Sequence, residues 1–418
     1  MTMTYTPHLP NHIQANIELP SSKSLSNRAL LLCALSGSDS SVERMSTCDD
    51  TFVMWRALRE RTLTIDIMAA GTAMRFLTAF FATCANEEHI ITGTQRMKQR
   101  PISVLVDALR QLGANIEYTE NEGFPPLRII GKKLKGGDIT LPANVSSQYI
   151  SALLMVAPTM TQGLTLHLEG DIISRPYINM TLNMMRTFGA NISWTDEQTL
   201  HVVAAPYRNN IIYSIESDWS AASYWYEIMA LTPDAHARIT LPWLHADSLQ
   251  GDSMVQHYFE PLGVKTTFDA QHKCAILTKA NEQRIAPSAT YELNLVNQPD
   301  LAQTLVVTCA LLQQPFRFTG LHSLRIKETD RMAALQAELA KLGITLGIEG
   351  DEALYIDAYP SNSTYNGMPI ATYHDHRMAM AFAPACIKHP NLQIADPEVV
   401  SKSYPRFWKD LEQLTMQH

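Results

Sequence analysis

The feature that most constrains the fold is a helix-and-strand segment that recurs along the chain. In four places an amphipathic helical pattern ends in Leu-Gly or Phe-Gly and leads into a short β-like run. The glycines of these copies are Gly113, Gly189, Gly263 and Gly343, spaced 76, 74 and 80 residues apart. Glycine ends helices readily because it adopts the left-handed conformation without a steric penalty. With weaker copies near Trp55 and Phe407, this regularity predicts a repeat architecture.

A second helical pattern alternates with the first and is apolar on nearly all sides, which is typical of buried helices. Its six copies open with small, polar or charged residues and lie at about 24–35, 71–84, 146–160, 220–231, 299–312 and 375–386. Each repeat therefore consists of short strands plus one buried and one amphipathic helix. Three buried helices precede residues 215–218 and three follow. We expect an α/β chain built from two halves of three repeats each.

Length and charge narrow the range of functions. A chain of 418 residues is too long for one ordinary core. Its net charge of −8 argues against nonspecific nucleic-acid binding, so an anionic ligand must be attracted by a local group of cations. The first residues do not show a leader pattern, and no uncharged apolar run is long enough to span a bilayer. The six cysteines lack C-x-x-C spacing. We expect a cytoplasmic protein without a disulfide framework or zinc site.

The polar openings of the buried helices are candidate ligand sites. A helix N-terminus presents unpaired N–H groups and a partial positive charge, which together suit phosphate or carboxylate. The notable side chains are Lys23, Ser24 and Arg28 at the first opening, Gly71 at the second, and Ser146, Ser147 and Gln148 at the third. Taken alone, the first and third openings are equally well explained as ordinary helix caps, and a simple cap is the better explanation at Gly71.

Four further segments carry charged groups. Residues 96–101 form a cationic loop, and residues 325–331 mix both signs, either as a salt-bridged helix start or as an acid beside carboxylate-binding cations. Asp300 opens a helix, where the helix dipole favours its anion and suits a base. His374 and His376 flank Asp375, but no third ligand is near in sequence, so a metal site is not favoured.

Together these segments resemble the 5-enolpyruvylshikimate-3-phosphate synthase (EPSP synthase) family. The matching motifs keep the family's order and span nearly the whole chain, at residues 22–29, 70–75, 96–101, 146–148, 174–177, 299–300, 327–331, 375–380 and 401–402. The resemblance implies the enolpyruvyl transferase fold: two inside-out α/β domains, each of three pseudo-repeats, closing over a cleft. It places residues 1–19 and 218–418 in one domain and 20–217 in the other, with a hinge near 19–20 and 216–218.

The resemblance also implies an activity. The enzyme would be a 3-phosphoshikimate 1-carboxyvinyltransferase of aromatic amino-acid biosynthesis. It would move the enolpyruvyl group of phosphoenolpyruvate to the 5-hydroxyl of shikimate 3-phosphate by addition and elimination, releasing phosphate. The resemblance implies no cofactor, metal, nucleic acid or membrane. The expected partners are the two small-molecule substrates. We expect a monomer. Because Gly71 is unbranched, as in members that admit glyphosate, we expect inhibition by that compound.

Residue by residue, the resemblance makes Asp300 the base at the 5-hydroxyl and Glu328 the acid at the methylene carbon. Lys23 would touch both substrates and share in proton transfer. The residues assigned to shikimate 3-phosphate are Lys23, Ser24, Arg28, Ser146, Ser147, Gln148, Ser174, Tyr177, Asp300, Ser323 and Lys327. Those assigned to phosphoenolpyruvate are Lys23, Gly71, Arg100, Gln148, Arg331, Arg377 and Lys402.

The chain departs from the family's usual pattern at a few positions. Ala69 and Ser323 stand where the family usually has Asn, and Phe76 stands where it usually has Pro. None of these changes removes a proposed proton-transfer group. Two other functions stay open. One is enolpyruvyl transfer to a UDP-sugar, whose usual reactive loop cysteine has no evident counterpart here. The other is an inactive ligand-binding homologue, although every proposed catalytic side chain is present.

Overall fold

The protein is described by a computed structural model covering residues 3–37, 39–280, 285–360 and 363–416. The chain divides into two compact units. Unit 1 comprises the described residues of 1–20 and 216–418, and unit 2 those of 21–215. Each unit has a hydrophobic core of its own.

The α-helices have the following bounds: α1 Lys23–Ser36, α2 Asp49–Glu60, α3 Gly71–Thr83, α4 Ser103–Gln111, α5 Ser147–Val156, α6 Arg175–Thr187, α7 Trp219–Leu231, α8 Val255–Phe259, α9 Ala302–Leu312, α10 Arg331–Lys341, α11 His376–Phe382 and α12 Phe407–Met416. Short 3-10 segments precede α8 and α9 at Gly251–Met254 and Pro299–Leu301, and others lie at His322–Ile326 and Pro397–Lys402.

The strands have the following bounds: β1 Thr4–Tyr5, β2 Gln14–Asn16, β3 Ser41–Glu43, β4 Thr64–Asp66, β5 Glu88–Thr92, β6 Asn115–Tyr118, β7 Leu127–Ile130, β8 Gly137–Pro142, β9 Leu164–Glu169, β10 Ile192–Trp194, β11 Thr199–Val202, β12 Ile212–Ser214, β13 Arg238–Pro242, β14 Val264–Asp269, β15 Cys274–Lys279, β16 Tyr291–Asn294, β17 Phe316–Thr319, β18 Gly347–Glu349, β19 Ala353–Ile356 and β20 Ile394–Ala395.

The four-stranded sheets of the described chain share one connectivity. In each sheet a first strand lies parallel to a second, and the second is antiparallel to the last strand of a following hairpin. The strand orders are β4-β5-β7-β6 and β8-β9-β11-β10 in unit 2, and β2-β13-β15-β14 and β16-β17-β19-β18 in unit 1. A smaller two-stranded pairing completes each unit, β12 with β3 in parallel and β1 with β20 in antiparallel. This shared topology confirms the repeat inferred from the sequence.

The buried helices of each unit pack against one another, and strands of the sheets pack against them. In unit 2, α1, α3 and α5 contact one another, as α7, α9 and α11 do in unit 1. Strand β9 buries Leu164, Leu166 and Leu168 on one face and leaves His167 and Glu169 exposed, which is typical of a sheet covered on one side. The predicted α/β class and the six buried helices are therefore confirmed.

The predicted glycine stops adopt the left-handed conformation. Gly113, Gly189, Gly263 and Gly343 have φ values of 101°, 86°, 86° and 74°. The weaker copy after Trp55 ends differently, since α2 is followed by Arg61 with φ 45°. A non-glycine residue in this conformation gives little sequence signal, which explains why that copy was faint.

The described residues lack both a membrane-spanning helix and a metal-binding group of side chains. No helix there is both long and apolar enough to span a bilayer. No three His, Cys, Asp or Glu side chains in that part of the chain are grouped as a metal ion would require.

Candidate active site

Helix α1 of unit 2 begins with a paired lysine. Ser22 caps the helix by accepting a hydrogen bond from the Leu25 N–H at 3.4 Å. The Lys23 ammonium lies 3.1 Å from the Asp50 carboxylate, and Asp50 is a buried residue in the first turn of α2. The sequence prediction missed Asp50, because acidic residues in a first helical turn are common for dipole reasons alone.

Arg28 is buried and joins three helices. Its Nε donates to Thr181 Oγ1 of α6 at 2.7 Å, and Nη2 donates to Ser151 Oγ of α5 at 3.2 Å. Nη1 donates to the Ser24 carbonyl at 3.0 Å, and the guanidinium lies over the Phe76 ring at 5.3 Å. Burial lowers the pKa of Arg28 to about 10. None of these partners is a carboxylate, so the site favours an anionic ligand that compensates the buried charge.

Two more guanidinium groups lie at the opening of α3. A Cβ at Gly71 would come within 2.7 Å of Arg100 Nη1 and 2.9 Å of Arg75 Nη1. Arg75 also donates to the Gly71 carbonyl at 3.0 Å. The absence of a side chain at Gly71 therefore leaves room for two cations, of which the sequence prediction included Arg100 and missed Arg75.

The remaining predicted residues of unit 2 lie in first turns or caps. Ser146 caps α5, where Ser147 is the first helical residue. Gln148 Nε2 donates to Thr72 Oγ1 at 3.0 Å, which joins the openings of α5 and α3. Ser174 precedes α6 with φ 54°, and the Tyr177 carbonyl accepts from Arg28 Nη2 at 3.5 Å. We call these first turns of α1, α3, α5 and α6 the unit 2 helix openings.

Asp300 in unit 1 is surrounded by three cations. Arg331 Nη1 contacts its Oδ1 at 3.0 Å, Arg377 Nη2 contacts Oδ2 at 3.0 Å, and Lys327 Nζ lies 3.5 Å from Oδ1. Burial raises the pKa of Asp300, but Arg377, Lys327 and Arg331 outweigh it and hold that pKa well below its usual range. Asp300 is thus an anion held by cations that a second anion would compete for.

Arg331, the first residue of α10, is the centre of the same group. Besides Asp300, its Nη2 contacts Glu328 Oε2 at 2.9 Å and its Nε contacts Asp375 Oδ2 at 2.7 Å. Asp375 is fully buried and also caps α11 by accepting from the Arg377 N–H at 2.9 Å. The prediction gave Asp375 no site role, and this pairing across 44 residues is not visible in the sequence.

Lys402 completes the group by contacting Glu328 Oε1 at 3.2 Å from the end of a 3-10 segment. We define the unit 1 cluster as the four cations and three carboxylates that these contacts connect: Lys327, Arg331, Arg377, Lys402, Asp300, Glu328 and Asp375. Ser323 lies nearby in sequence, on the 3-10 segment before Lys327. A nearly neutral cluster of this kind can bind an anion only by exchanging partners.

Comparison with known proteins identifies the family. A family model described as EPSP synthase (3-phosphoshikimate 1-carboxyvinyltransferase) matches residues 7–66 and 60–411 of this chain. The chain belongs to the EPSP synthase family. It is therefore an enzyme, a transferase, as the resemblance of its motifs predicted.

Similar proteins of this family match the chain over nearly its full length. A 3-phosphoshikimate 1-carboxyvinyltransferase of Bacteroides fragilis strain YCH46 is 53% identical, over 98% of this chain and 97% of the relative. One of Mannheimia succiniciproducens is 33% identical, over 98% of each chain. An EPSP synthase structure from Acinetobacter baumannii has a TM-score of 0.76 at 20% identity, covering 98% of this chain and 97% of that chain, and shares the fold.

Several of the residues predicted to act in the family's reaction contact one another within each unit. The structure connects the predicted acid, base and cations of unit 1 by direct contacts, and it connects Arg28 with Ser24 and Tyr177 in unit 2. The part each residue takes in the family's reaction stays a prediction.

Proposed function

We propose that the chain transfers the enolpyruvyl group of phosphoenolpyruvate to the 5-hydroxyl of shikimate 3-phosphate and releases phosphate. The observation that carries the proposal is the unit 1 cluster. It joins two carboxylates suited to proton transfer, Asp300 and Glu328, to cations suited to phosphate and carboxylate. Addition and elimination at an enol phosphate require these two kinds of group.

The proposed addition step needs one proton acceptor and one proton donor. Asp300 takes the proton of the 5-hydroxyl as its oxygen attacks C2 of phosphoenolpyruvate, while protonated Glu328 gives a proton to the methylene carbon. The tetrahedral intermediate then loses phosphate, and the methyl group returns one proton to a base, which restores the double bond. Lys23 touches both substrates and shares in these transfers, with Asp50 holding its ammonium group.

The unit 2 helix openings supply groups that suit shikimate 3-phosphate. Its charged groups match the buried guanidinium of Arg28 and the first-turn N–H groups and hydroxyls of α5 and α6. The residues proposed to bind shikimate 3-phosphate are Lys23, Ser24, Arg28, Ser146, Ser147, Gln148, Ser174, Tyr177, Asp300, Ser323 and Lys327.

Phosphoenolpyruvate is assigned to Lys23, Gly71, Arg100, Gln148, Arg331, Arg377 and Lys402. Because Arg331, Arg377 and Lys402 contact Asp300 and Glu328, its carboxylate and phosphate must displace those side chains as partners. The cations then neutralise the substrate, which reduces its repulsion from the second anion.

The same exchange prepares the catalytic carboxylates. Loss of cationic neighbours raises the pKa of Asp300, since those neighbours are what lower it in the unliganded protein. A stronger base is therefore available at Asp300 only after phosphoenolpyruvate has bound.

We further propose that units 1 and 2 correspond to the family's two domains, with the hinge near 19–20 and 216–218. The chain crosses from one unit to the other near these positions. A net charge of −8 supports a monomer, because like-charged copies repel one another. A cytoplasmic location, with the two substrates as partners and no cofactor, fits the proposed reaction.

Phosphate release measured with each of two acceptor substrates tests the proposed function. Purified protein receives phosphoenolpyruvate with either shikimate 3-phosphate or a UDP-sugar, and phosphate release is followed. We expect release with shikimate 3-phosphate alone. Release with the UDP-sugar alone would reassign the acceptor, and release with neither would support an inactive homologue.

A further inference from the structure

A strained turn lies directly before the Asp375 and Arg377 pair. Tyr373 and His374 have φ values of 54° and 56°, so two consecutive residues with side chains adopt the left-handed conformation. This conformation is sterically disfavoured for residues with a side chain, and such turns persist only where surrounding contacts enforce them. The contacts that enforce this turn therefore help to fix the positions of Asp375 and Arg377.

Glu338 of α10 supplies several of those contacts. Its carboxylate is fully buried, and its Oε2 accepts from the Ala371 N–H at 2.9 Å. Its Oε1 accepts from the Tyr373 hydroxyl at 2.7 Å. Lys341 contacts Oε2 at 2.7 Å and donates to the Pro369 carbonyl at 2.8 Å, so one ion pair holds the segment on both sides of Ala371.

The same helix holds the far side of the turn. Arg331, two helical turns before Glu338 and on the same face, contacts Asp375 at 2.7 Å. Asp375 in turn caps α11 at the Arg377 N–H. Helix α10 thus holds the strained segment at two points, with Glu338 before the turn and Arg331 after it.

We propose that Glu338 is a positioning residue for the reaction, because it enforces the turn at Tyr373 and His374 that places Asp375 against Arg331 and Arg377. The inference rests on the proposed function, in which Arg331 and Arg377 bind phosphoenolpyruvate. Without the Glu338 contacts the turn relaxes toward an unstrained conformation. Asp375 then no longer orients the Arg331 guanidinium or caps α11 at the Arg377 N–H, which shifts Arg377 as well.

Two variants of graded severity test it. Tyr373→Phe removes one hydrogen bond to Glu338, and Glu338→Gln removes the charge that holds Lys341 and the two donors. We expect the KM for phosphoenolpyruvate to rise about threefold to tenfold in the first and about tenfold or more in the second. The KM for shikimate 3-phosphate is expected to stay within about twofold. A purely structural role would change both KM values alike, or only the thermal midpoint.

Two further variants separate position from stability. Tyr365→Phe is the matched control, since its hydroxyl donates to the Met368 carbonyl in the same segment and is not bonded to Glu338. We expect parental KM values there. Adding His374→Gly to Glu338→Gln removes the steric cost at one of the two left-handed residues, and part of the lost affinity for phosphoenolpyruvate should return.

The outcomes distinguish this inference from the proposed function. An inactive parent protein overturns the function itself. An active parent in which Arg377→Ala raises the KM for phosphoenolpyruvate, while Glu338→Gln and Tyr373→Phe do not, overturns the positioning role alone.

Discussion

At the scale of single residues, the Glu227 carboxyl is buried without hydrogen-bond partners among the described residues. It lies in α7, is fully buried, and neither carboxylate oxygen has a hydrogen-bond partner among the described residues. Burial raises its pKa well above the usual range. Because the pKa of Glu227 is higher in the folded than in the unfolded protein, where it is about 4.3, its contribution to the free energy of unfolding is largest below that pH. That contribution then falls as the pH rises toward the pKa of Glu227 in the folded protein.

Glu227→Gln should therefore stabilise the protein in a pH-dependent way. The amide is similar in shape to the neutral acid but has no ionisation penalty. We expect the two proteins to be similarly stable near pH 4, and the advantage of the variant to grow steadily as the pH rises toward 7. Urea unfolding at several pH values measures this. The exposed Glu352→Gln is the control, and a Glu227→Gln advantage that does not change with pH would contradict the assignment.

Gly71 gives a second prediction at this scale. A methyl group there would press on the guanidinium groups of Arg100 and Arg75, which flexible side chains can accommodate only by moving. We expect the parent to be inhibited by millimolar glyphosate at low phosphoenolpyruvate. Gly71→Ala should raise the KM for phosphoenolpyruvate by about threefold to thirtyfold and weaken that inhibition. Undiminished parental turnover with glyphosate present would contradict the prediction.

The sequence named candidate site residues but not the contacts that connect them. Lys23, Asp300, Glu328, Arg331 and Arg377 were proposed because each lies in a motif or at a helix opening, and their roles stay predictions. Asp50 and Asp375 were missed, because their value comes from partners 27 and 44 residues away. A buried carboxylate with a distant partner leaves no local pattern to read.

At the scale of elements, the buried helices were the most predictable part of the fold. A helix that is apolar on all sides differs clearly from its neighbours, and all six predicted copies were found near the predicted bounds. The amphipathic copy near Gly263 was less regular, since a 3-10 segment at Gly251–Met254 precedes a helix of only five residues. The common sheet connectivity was not predicted, because pairing of short strands depends on distant partners.

The helix-ending glycines supply a matched prediction. Gly189 and Gly263 both have φ 86°, but a Cβ at Gly189 would meet Arg208 Cγ at 2.5 Å, whereas nothing lies within 4 Å at Gly263. Gly263→Ala should cost about 1 kcal/mol for the left-handed conformation alone. Gly189→Ala should cost more, about 2 kcal/mol, because Arg208 must also move. Equal shifts of the urea midpoint in the two variants would show that crowding plays no part.

At the scale of the whole molecule, the first residues of the chain belong to the sheets of unit 1. Strand β2 lies parallel to β13, and β1 lies antiparallel to β20. The Ile13 N–H donates to the buried Asp234 carboxylate at 2.9 Å, which fixes the same segment. Unit 1 is therefore complete only with residues from both ends of the sequence.

Removal of residues 1–19 tests this dependence. The truncated chain should lose hydrogen-exchange protection in β13 and β20, because each loses a paired strand, while the strands of unit 2 keep theirs. Hydrogen exchange followed by mass spectrometry compares the two units within one sample. Unchanged protection in β13 and β20 would show that the pairing contributes little.

The central claim is that the unit 1 cluster performs the proton transfers, with Asp300 as base and Glu328 as acid. Phosphate release from phosphoenolpyruvate and shikimate 3-phosphate, measured for Asp300→Ala, Glu328→Gln and the exposed control Glu349→Gln, tests it most directly. We predict that kcat falls by about 10²- to 10⁴-fold in the first two, with substrate binding largely retained, and stays near the parental value in the control. Parental turnover in Asp300→Ala or in Glu328→Gln would contradict the role given to that residue.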